Sequence, residues 1–314
     1  MPFQFPVDRS PIRKLLHRMT LQLLLWPCLV TGAPTVRADE VRPIRQVAVG
    51  AQYGTTHVYV PEDRLDDFVT SFVATFGGNA SPPNVAQITP TPSSTVFRAI
   101  RTPAGAVSAF GFTTPIPYPF GFERTGYLVT DIDDAIAAAK RFGAAVLVAP
   151  FPDAIGRDAI IQWPGGVNMQ LYWHTKFTPA PPLQANPENR LYLPAESADA
   201  FISQFIAFSQ GTVTSDDTAA PGIEIGRPGD TYRRVRITSP FGNLAVFVID
   251  GHLPYPYGHE MTGYEVGDLQ ATLDKARAAN VKVLVEPFTS GQRQAAMVEF
   301  PGGYIAEIHA PIKR

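Results

Sequence analysis

The sequence is poor in cysteine and in charge, and both shortages exclude functions. Cys28 is the only cysteine among 314 residues, so disulfide bonds within the chain and sites built from several thiolates are excluded. Asp, Glu, Lys and Arg make up 17% of the residues, with a formal net charge of −2. A nucleic-acid-binding protein normally carries a basic excess, so we expect no nucleic-acid partner. P-loop, G-x-G-x-x-G and G-x-S-x-G motifs are also missing, which leaves nucleotide binding and serine hydrolysis without a supporting motif.

Long apolar runs are scarce too, and the N-terminal one has the pattern of a signal peptide. Four basic residues between positions 9 and 18 precede an apolar run at 21–30, and 36–38 fits a small-x-small cleavage site before Asp39. Ten apolar residues are too few to cross a bilayer, which takes roughly 20. We therefore predict a signal peptide over residues 1–38, no membrane span after its removal, and a secreted or periplasmic mature protein.

Proline is abundant, at 31 residues, and much of it lies in an internal repeat. Residues 116–127 (IPYPFGFERTGY) match 253–264 (LPYPYGHEMTGY) at an offset of 137 residues. The same offset aligns WPGGVNMQL at 163–171 with FPGGYIAEI at 300–308. The sequence therefore contains two copies of one domain-sized unit.

Each copy divides again into two modules. The turn pattern x-Pro-x-Gly, in which proline presets φ and glycine supplies a left-handed residue, lies at corresponding places in the four modules, at 102–105, 163–166, 239–242 and 300–303. Each turn joins two predicted strands, and a strand and a helix lie upstream of it. We predict an α+β fold of four β-α-β-β-β modules in two domains, at 54–174 and 188–312, joined by a proline-rich linker at 175–187.

The second and fourth helices carry start and stop signals. Asp131 and Asp268 stand at N-cap positions, before apolar residues that fall on one helix face. Gly143 and Asn280, aligned residues that tolerate a left-handed conformation, mark the predicted helix ends.

These motifs are similar to those of a known superfamily. WPGGVNMQL and FPGGYIAEI resemble the D-P-x-G-N-x-x-E-L ending of the vicinal oxygen chelate (glyoxalase, bleomycin-resistance and dioxygenase) superfamily, and the segments at 126–144 and 263–280 resemble its H-x-x-F-x-V-x-D helix opening. The resemblance implies paired modules, each pair curling its sheet round a cup. It also implies a divalent metal that chelates vicinal oxygens of a substrate, for isomerisation, ring cleavage or ring opening.

The resemblance also implies where metal ligands lie, at two positions in each module. The N-terminal domain offers uncharged residues and one arginine there, and the C-terminal domain offers two carboxylates without histidine: Thr55, Ala109, Arg124 and Gln170, then Glu188, Val246, Met261 and Glu307. A divalent site normally has three or four N or O ligands. We therefore expect the usual site to be degenerate.

Strand parity leaves a displaced metal site open. Residues two apart on a strand share a face, so His259 and His309 could join Glu307, with Glu188 as a further ligand, around Fe, Mn, Zn or Ni. The alternative, which we favour, is that His259 is solvated in a loop and His309 lies near an open strand end. If modules one and four share a cup, His57 would also face Glu307 and His309.

Polar and aromatic residues predict a site for an organic ligand without metal. They lie at inward strand positions of both domains: His57, Tyr59, Gln170, Tyr172, Arg190 and Tyr192. The alternative is that these side chains fill a small barrel with satisfied hydrogen bonds. One basic cluster, Arg233, Arg234 and Arg236, is interpreted as a solvated strand edge.

Three hypotheses for function follow. The first is an exported small-molecule-binding protein with a degenerate metal site. The second is a metal-dependent lyase or dioxygenase that acts from the C-terminal cup, with Glu307 and His259 holding the metal and His309 as a ligand or general base. The third is a structural or interaction protein with filled cups.

Overall fold

The structure, a computed structural model, describes residues 46–312. The predicted signal peptide at 1–38 lies outside these residues. The described residues belong to one compact unit. None of their helices is long and apolar enough to cross a membrane.

The first sheet is built from residues 55–174 and carries two helices. Its strands are β1 (Thr55–Pro61), β2 (Asn79–Ala80), β3 (Asn84–Ala86), β4 (Thr95–Thr102), β5 (Gly105–Phe112), β6 (Thr125–Leu128), β7 (Ala145–Pro152), β8 (Gly156–Trp163) and β9 (Val167–His174), and its helices are α1 (Leu65–Phe76) and α2 (Ile132–Arg141). The strand order is β2-β4-β5-β1-β6-β9-β8-β7, with β3 also pairing with β4.

The second sheet repeats this arrangement. Its strands are β10 (Glu188–Pro194), β11 (Thr212–Pro221), β12 (Thr231–Ser239), β13 (Gly242–Ile249), β14 (Met261–Glu265), β15 (Lys282–Ser290), β16 (Arg293–Phe300) and β17 (Tyr304–Pro311), and its helices are α3 (Ala195–Ser209) and α4 (Leu269–Ala278). The strand order is β11-β12-β13-β10-β14-β17-β16-β15.

Each sheet consists of two consecutive modules, so the predicted α+β fold with four modules is confirmed. Within a module, the first strand pairs in parallel with the last, as β1 does with β5. The two modules of a sheet meet at an antiparallel pair, β1 with β6 and β10 with β14. Module one differs from the others because two short strands, β2 and β3, replace one longer strand. Modules one and four lie in different sheets, so His57 and Glu307 do not share one.

The predicted helix signals operate as expected. Asp131 and Asp268 each accept hydrogen bonds from backbone N–H groups in the first turn of their helices. Gly143 and Asn280 follow these helices with φ of 92° and 62°, which is the left-handed region. A glycine or asparagine adopts this region at the lowest steric cost.

The helices cover one face of each sheet, and the apolar cores there contain residues from both sheets. Phe72 of α1 lies 5.2 Å from Phe300 of β16 and 5.4 Å from Tyr264 of β14, measured between ring centres. Trp163 of β8 lies 5.2 Å from Phe208 of α3. Module one therefore packs against module four, and module two packs against module three.

The turns between the last two strands of each module differ in length, and this changes the face that later residues occupy. Two residues join β4 to β5 and β12 to β13, whereas three join β8 to β9 and β16 to β17. Gln170 and Glu307, each the sixth residue after a turn proline, therefore lie on the sheet face away from the helices. Ala109 and Val246 lie instead in the helix-side cores. Their prediction as metal-ligand positions is wrong, because one residue more or fewer in a turn reverses side-chain parity.

Candidate ligand-binding cups

The face of each sheet away from its helices forms a cup, and the two cups differ in chemistry. We call the inner face of the first sheet the N-terminal cup and that of the second sheet the C-terminal cup. Of the residues predicted to bind a ligand, His57, Tyr59, Gln170 and Tyr172 lie in the N-terminal cup. Arg190 and Tyr192 lie in the C-terminal cup.

Glu307 in the C-terminal cup forms a buried ion pair with Arg190. The Arg190 Nη1 donates to Glu307 Oε2, while His309 Nδ1 lies 3.1 Å from Glu307 Oε1. The guanidinium carbon of Arg190 also lies 4.3 Å from the ring centre of Phe247, in a cation–π contact. Burial alone would raise the pKa of Glu307, but Arg190 and His309 outweigh it and hold that pKa below its ordinary value. Glu307 is therefore an ionised partner of two donors.

His309 lies between two carboxylates. Its Nδ1 faces Glu307, and its Nε2 lies 3.7 Å from Glu265 Oε2. Burial lowers the pKa of His309, but hydrogen bonds to Glu265 and Glu307 reverse the direction and leave it raised. Both ring nitrogens thus face an acceptor, an arrangement that favours the imidazolium form.

Glu188, the second carboxylate at a predicted ligand position, is held by two arginines. Arg293 Nη1 donates to Glu188 Oε1 at 3.0 Å, and Arg236 Nε donates to Glu188 Oε2 at 3.2 Å. Burial would raise the pKa of Glu188, but Arg293 and Arg236 lower it to about 2. Because β12 and β16 lie on opposite sides of β10, the two arginines reach Glu188 from opposite walls of the cup.

A third buried glutamate links the two edges of the second sheet. Glu224, in a short 3-10 helix after β11, accepts hydrogen bonds from Arg234, from the Tyr232 hydroxyl and from Ser290 at the end of β15. Since β11 and β15 are the edge strands, these bonds close the sheet at this end. The C-terminal cup is therefore bridged at two levels, by the ion pairs of Glu188 and by the hydrogen bonds of Glu224.

The interpretation of the basic cluster as a solvated strand edge is wrong for two of its three arginines. Arg234 and Arg236 point into the C-terminal cup, toward Glu224 and Glu188. Arg233 alone faces outward, where it forms exposed ion pairs with aspartates. The alternation of charged and apolar residues along a strand does not show which face of the strand is buried. In addition, β12 is not an edge strand, because β11 lies outside it.

The predicted metal ligands are not brought together. Glu307 and His309 are adjacent, but His259 is exposed in the loop before β14. Over residues 46–312, no three His, Cys, Asp or Glu side chains are placed to hold a metal ion. Both carboxylate oxygens of Glu188 already accept hydrogen bonds from arginines, and those of Glu307 face Arg190 and His309. The donor set of the C-terminal cup therefore does not fit a divalent metal.

The N-terminal cup contains a different buried carboxylate, Glu123. The Tyr59 hydroxyl donates to Glu123 Oε1, and His57 Nδ1 lies 3.4 Å from the same oxygen. Glu123 is 0% exposed, and within the described part of the chain its Oε2 has no hydrogen-bond partner. Burial raises the pKa of Tyr59 well above its ordinary value, and the charge of Glu123 adds to this effect.

One wall of the N-terminal cup is aromatic and the other is polar. Tyr59 stacks on Phe110 at 5.0 Å and on Phe112 at 6.1 Å between ring centres. On the other wall, Gln170 Nε2 donates to Asp158 Oδ2 at 2.9 Å. Burial raises the pKa of Asp158 well above its ordinary value. The cup can therefore contact both an apolar ring and polar groups of a ligand.

The two proline-containing loops, one between β5 and β6 and the other between β13 and β14, reach into the cups. Phe120 of the first loop packs on Phe151 and Ile160. Tyr257, at the matching place in the second loop, packs with Met261 and Met297. These loops therefore occupy part of each cup.

Sequence reasoning missed several of the residues that carry charge inside the cups. Glu123 precedes β6 within a loop, where no strand parity marks it as inward. Asp158 and Arg293 do lie on strands, and their alternation with apolar residues is the one signal that could have placed them inward. The glutamate of the 3-10 helix, Glu224, has no such signal.

The fold was compared with known proteins. No protein-family model matches the sequence, and no curated protein is similar to it in sequence. Solved structures with a similar fold include a triple mutant of 4-hydroxymandelate synthase from Streptomyces coelicolor, with a TM-score of 0.55 and 11% identity over 83% of this chain and 93% of that chain. The 2,3-dioxygenase LapB from Pseudomonas sp. KL28 has a TM-score of 0.52 and 13% identity over 85% and 93% of the two chains. The Mn(II)-bound glyoxalase from Novosphingobium aromaticivorans has a TM-score of 0.51 and 11% identity over 85% and 83%.

The TM-scores of 0.51–0.55 establish a likeness of fold. Because the sequence identities are only 11–13%, the likeness carries no statement about activity. The likeness covers more than four-fifths of this chain in each comparison, and it agrees with the four modules in two sheets. The chain therefore has the tandem fold of the vicinal oxygen chelate superfamily, which the repeated motifs predicted.

Proposed function

We propose that the chain is an exported, glyoxalase-like small-molecule-binding protein whose C-terminal cup does not use a metal. One observation supports this proposal most. Both carboxylates at the metal-ligand positions implied by the superfamily, Glu188 and Glu307, are buried and ion-paired with arginines.

The cost of displacing these arginines favours binding without a metal. A divalent ion that took Glu307 as a ligand would leave Arg190 buried without its partner. Leaving one member of a buried ion pair alone costs about 3–5 kcal/mol. The ion would also lie among Arg236 and Arg293, which would repel it.

The second candidate function is a metal-dependent lyase or dioxygenase that acts from the C-terminal cup. Its support is the proximity of Glu307 and His309, together with the dioxygenase and the Mn(II)-bound glyoxalase among the similar folds. This function would require Arg190 to leave Glu307 when the metal binds. His259, which is exposed, would also have to move inward.

Metal content separates the two functions. We expect the purified protein, after equilibration with excess Mn(II), Fe(II), Zn(II) or Ni(II) and desalting, to retain less than about 0.1 equivalent of each, since the donor set has fewer free ligands than the three or four of a divalent site. Glu307→Ala and the control Glu299→Ala, which changes a strand carboxylate outside the cup ion pairs, should give the same low values. Stoichiometric metal that disappears only in Glu307→Ala would overturn the proposal in favour of the enzyme.

Export is tested separately by sequencing the N-terminus of the protein from a secreting host. The proposal expects a mature chain that begins at Asp39, outside the cytoplasm. An uncleaved chain that stays in the cytoplasm would contradict export and leave the binding function unaffected.

A further inference from the structure

We propose that the N-terminal cup binds an organic ammonium ion attached to an aromatic body, with Glu123 as its counter-ion. The inference rests on the proposed function, since it names the class of ligand and the cup that binds it.

The contrast between the two cups is the first step. Three glutamates are buried in the C-terminal cup, and each has at least one arginine partner: Glu188 with Arg236 and Arg293, Glu224 with Arg234, and Glu307 with Arg190. Buried charges in proteins are normally paired in this way, because an unpaired charge in a medium of low dielectric constant is costly. The C-terminal cup thus supplies its own counter-ions.

The N-terminal cup does not supply them. Glu123 and Asp158 are both buried there, and among residues 46–312 neither forms an ion pair with an arginine or lysine. Of the residues that the structure describes, His57 is the one basic group within 4 Å of Glu123. The residue of the C-terminal cup that corresponds to Asp158 is Ala295, which carries no charge. The two correspond because Ala295 is the strand partner of His309, as Asp158 is the strand partner of Tyr172. The buried carboxyl groups of the N-terminal cup therefore have no arginine or lysine partner among the described residues.

Arg124, although adjacent to Glu123 in sequence, does not fill this role. It lines a small cavity of about 10 Å³ together with Glu260 and Asn189, and no ion pair joins it to Glu123 in the described structure. A cavity of this volume holds about one water molecule.

The free oxygen of Glu123 indicates what kind of group is missing. Oε1 already accepts from Tyr59 and faces His57, while Oε2 has no partner among the described residues. A carboxylate oxygen is an acceptor only, so the missing group must be a hydrogen-bond donor. A donor that also carries positive charge would make a shorter and stronger bond than a neutral one.

The aromatic wall indicates what the donor is attached to. Tyr59 and Phe112 are partly exposed on the cup face, and Tyr59 stacks on both Phe112 and the buried Phe110. Ring faces attract cations and pack well against other rings. An arylalkyl ammonium ion places its charge beside Glu123 and its ring against this wall, whereas a carboxylate would be repelled by Glu123.

The experiment uses 2-phenylethylamine as the probe, with 2-phenylethanol and phenylacetate as controls of matched shape. Binding to the full-length mature protein is measured by isothermal titration calorimetry and by NMR shifts of the His57 ring. We expect saturable binding of the amine, weaker binding of the alcohol and no binding of phenylacetate. Glu123→Gln should weaken amine binding by about tenfold or more, since a charged hydrogen bond is lost. The control Glu286→Gln, on an exposed carboxylate, should leave it unchanged.

Folding of Glu123→Gln is checked by circular dichroism, and Phe112→Ala provides a second variant that leaves the carboxylate intact and should also weaken binding. The inference is overturned by three results: no saturation up to about 10 mM amine, equal affinity in Glu123→Gln, or equal affinity for phenylacetate. If any of these results is obtained while the metal content of the protein stays low, this inference is overturned and the proposed function stands. Stoichiometric metal lost in Glu307→Ala overturns the proposed function, whatever the amine result.

Discussion

Glu307 and Arg190 form a buried ion pair in the C-terminal cup, with both side chains 3% exposed. Removing Arg190 leaves the buried Glu307 with only His309 beside it, whereas replacing both members of the pair with apolar residues removes both charges. We expect Arg190→Leu to lower the free energy of unfolding by about 3–5 kcal/mol. The double variant Arg190→Leu with Glu307→Leu should recover most of this loss. Urea unfolding at neutral pH measures both values.

The exposed pair between Lys282 and Glu299, at 3.0 Å, is the control for this prediction, because Lys282 is 72% exposed. Lys282→Ala should change the free energy of unfolding by less than about 1 kcal/mol. If Arg190→Leu costs no more than Lys282→Ala, the buried pair is not stabilised in the way its geometry indicates.

Glu260 makes the stability of the protein depend on pH. Burial raises the pKa of Glu260 to about 8, and Arg124 opposes this shift without cancelling it. Its ordinary pKa is 4.5, so the folded chain holds the proton at pH values where the unfolded chain has released it. The contribution of this group to stability is therefore complete below about pH 4.5 and is lost as the pH rises through about 8.

We expect Glu260→Gln, which stays neutral at every pH, to remove this decline. Its free energy of unfolding should exceed that of the wild-type protein at pH 8 by on the order of 4 kcal/mol, and the two should converge near pH 4.5. Chemical unfolding across this pH range, with Glu286→Gln as the exposed control, measures the difference. A constant offset at all pH values would contradict the prediction.

For individual side chains, the sequence identifies the presence of charged groups more readily than their partners. Glu188 and Glu307 were predicted to face the C-terminal cup, and they do. Their arginine partners come from strands that lie on other walls, and only the sheet order brings Arg236 and Arg293 to the same carboxylate. Such long-range pairing is set by tertiary structure, so local patterns do not reveal it.

At the element scale, the N-cap of α2 is a local feature with a measurable contribution. Asp131 accepts hydrogen bonds from the backbone N–H groups of Asp133 and Asp134. Removing the cap leaves these donors without that acceptor, so Asp131→Ala should lower the free energy of unfolding by about 1 kcal/mol. The matched variant Asp134→Ala keeps the cap and should change it by less than about 0.5 kcal/mol. Thermal or urea unfolding compares the two, and equal losses would contradict a capping role.

Helix ends and hairpins could be predicted because their signals are local. Asp131, Gly143 and the x-Pro-x-Gly turns each act within a few residues of their own position. The wrong prediction of Ala109 and Val246 as metal-ligand positions also came from a local signal, the distance in sequence from the turn proline. Two turns with one motif differ by one residue in length, and a shift of one residue moves a strand side chain to the opposite face.

At the scale of the whole molecule, the two sheets share their cores. Residues of α1 and of module four form one core, and residues of α3 and of module two form the other. The sequence repeat predicts two copies of one fold. It does not predict that each core contains residues of both sheets, because a repeat gives no information about contacts between its copies. Each half of the chain would expose one side of both cores if it stood alone. The two halves should therefore fold and unfold together.

This cooperativity is tested first with Phe72, a fully buried residue of α1 that contacts Phe300 in the second sheet. Phe72→Ala should lower the free energy of unfolding by about 3–5 kcal/mol. Hydrogen exchange should then rise together in β5 of the first sheet and β13 of the second. An increase confined to the first sheet would contradict a shared unfolding unit.

Cleavage of the connection gives the complementary test. Pro181 and Pro182 are exposed in the segment between β9 and β10, so a protease site inserted there can be cut in the folded protein. We expect the two fragments to elute together in size-exclusion chromatography, because apolar cores that draw on both halves hold them without a covalent link. Adding Phe72→Ala should make the cut fragments separate at a lower urea concentration than the cut wild-type fragments. Spontaneous separation into two folded fragments would show that each half closes its own core.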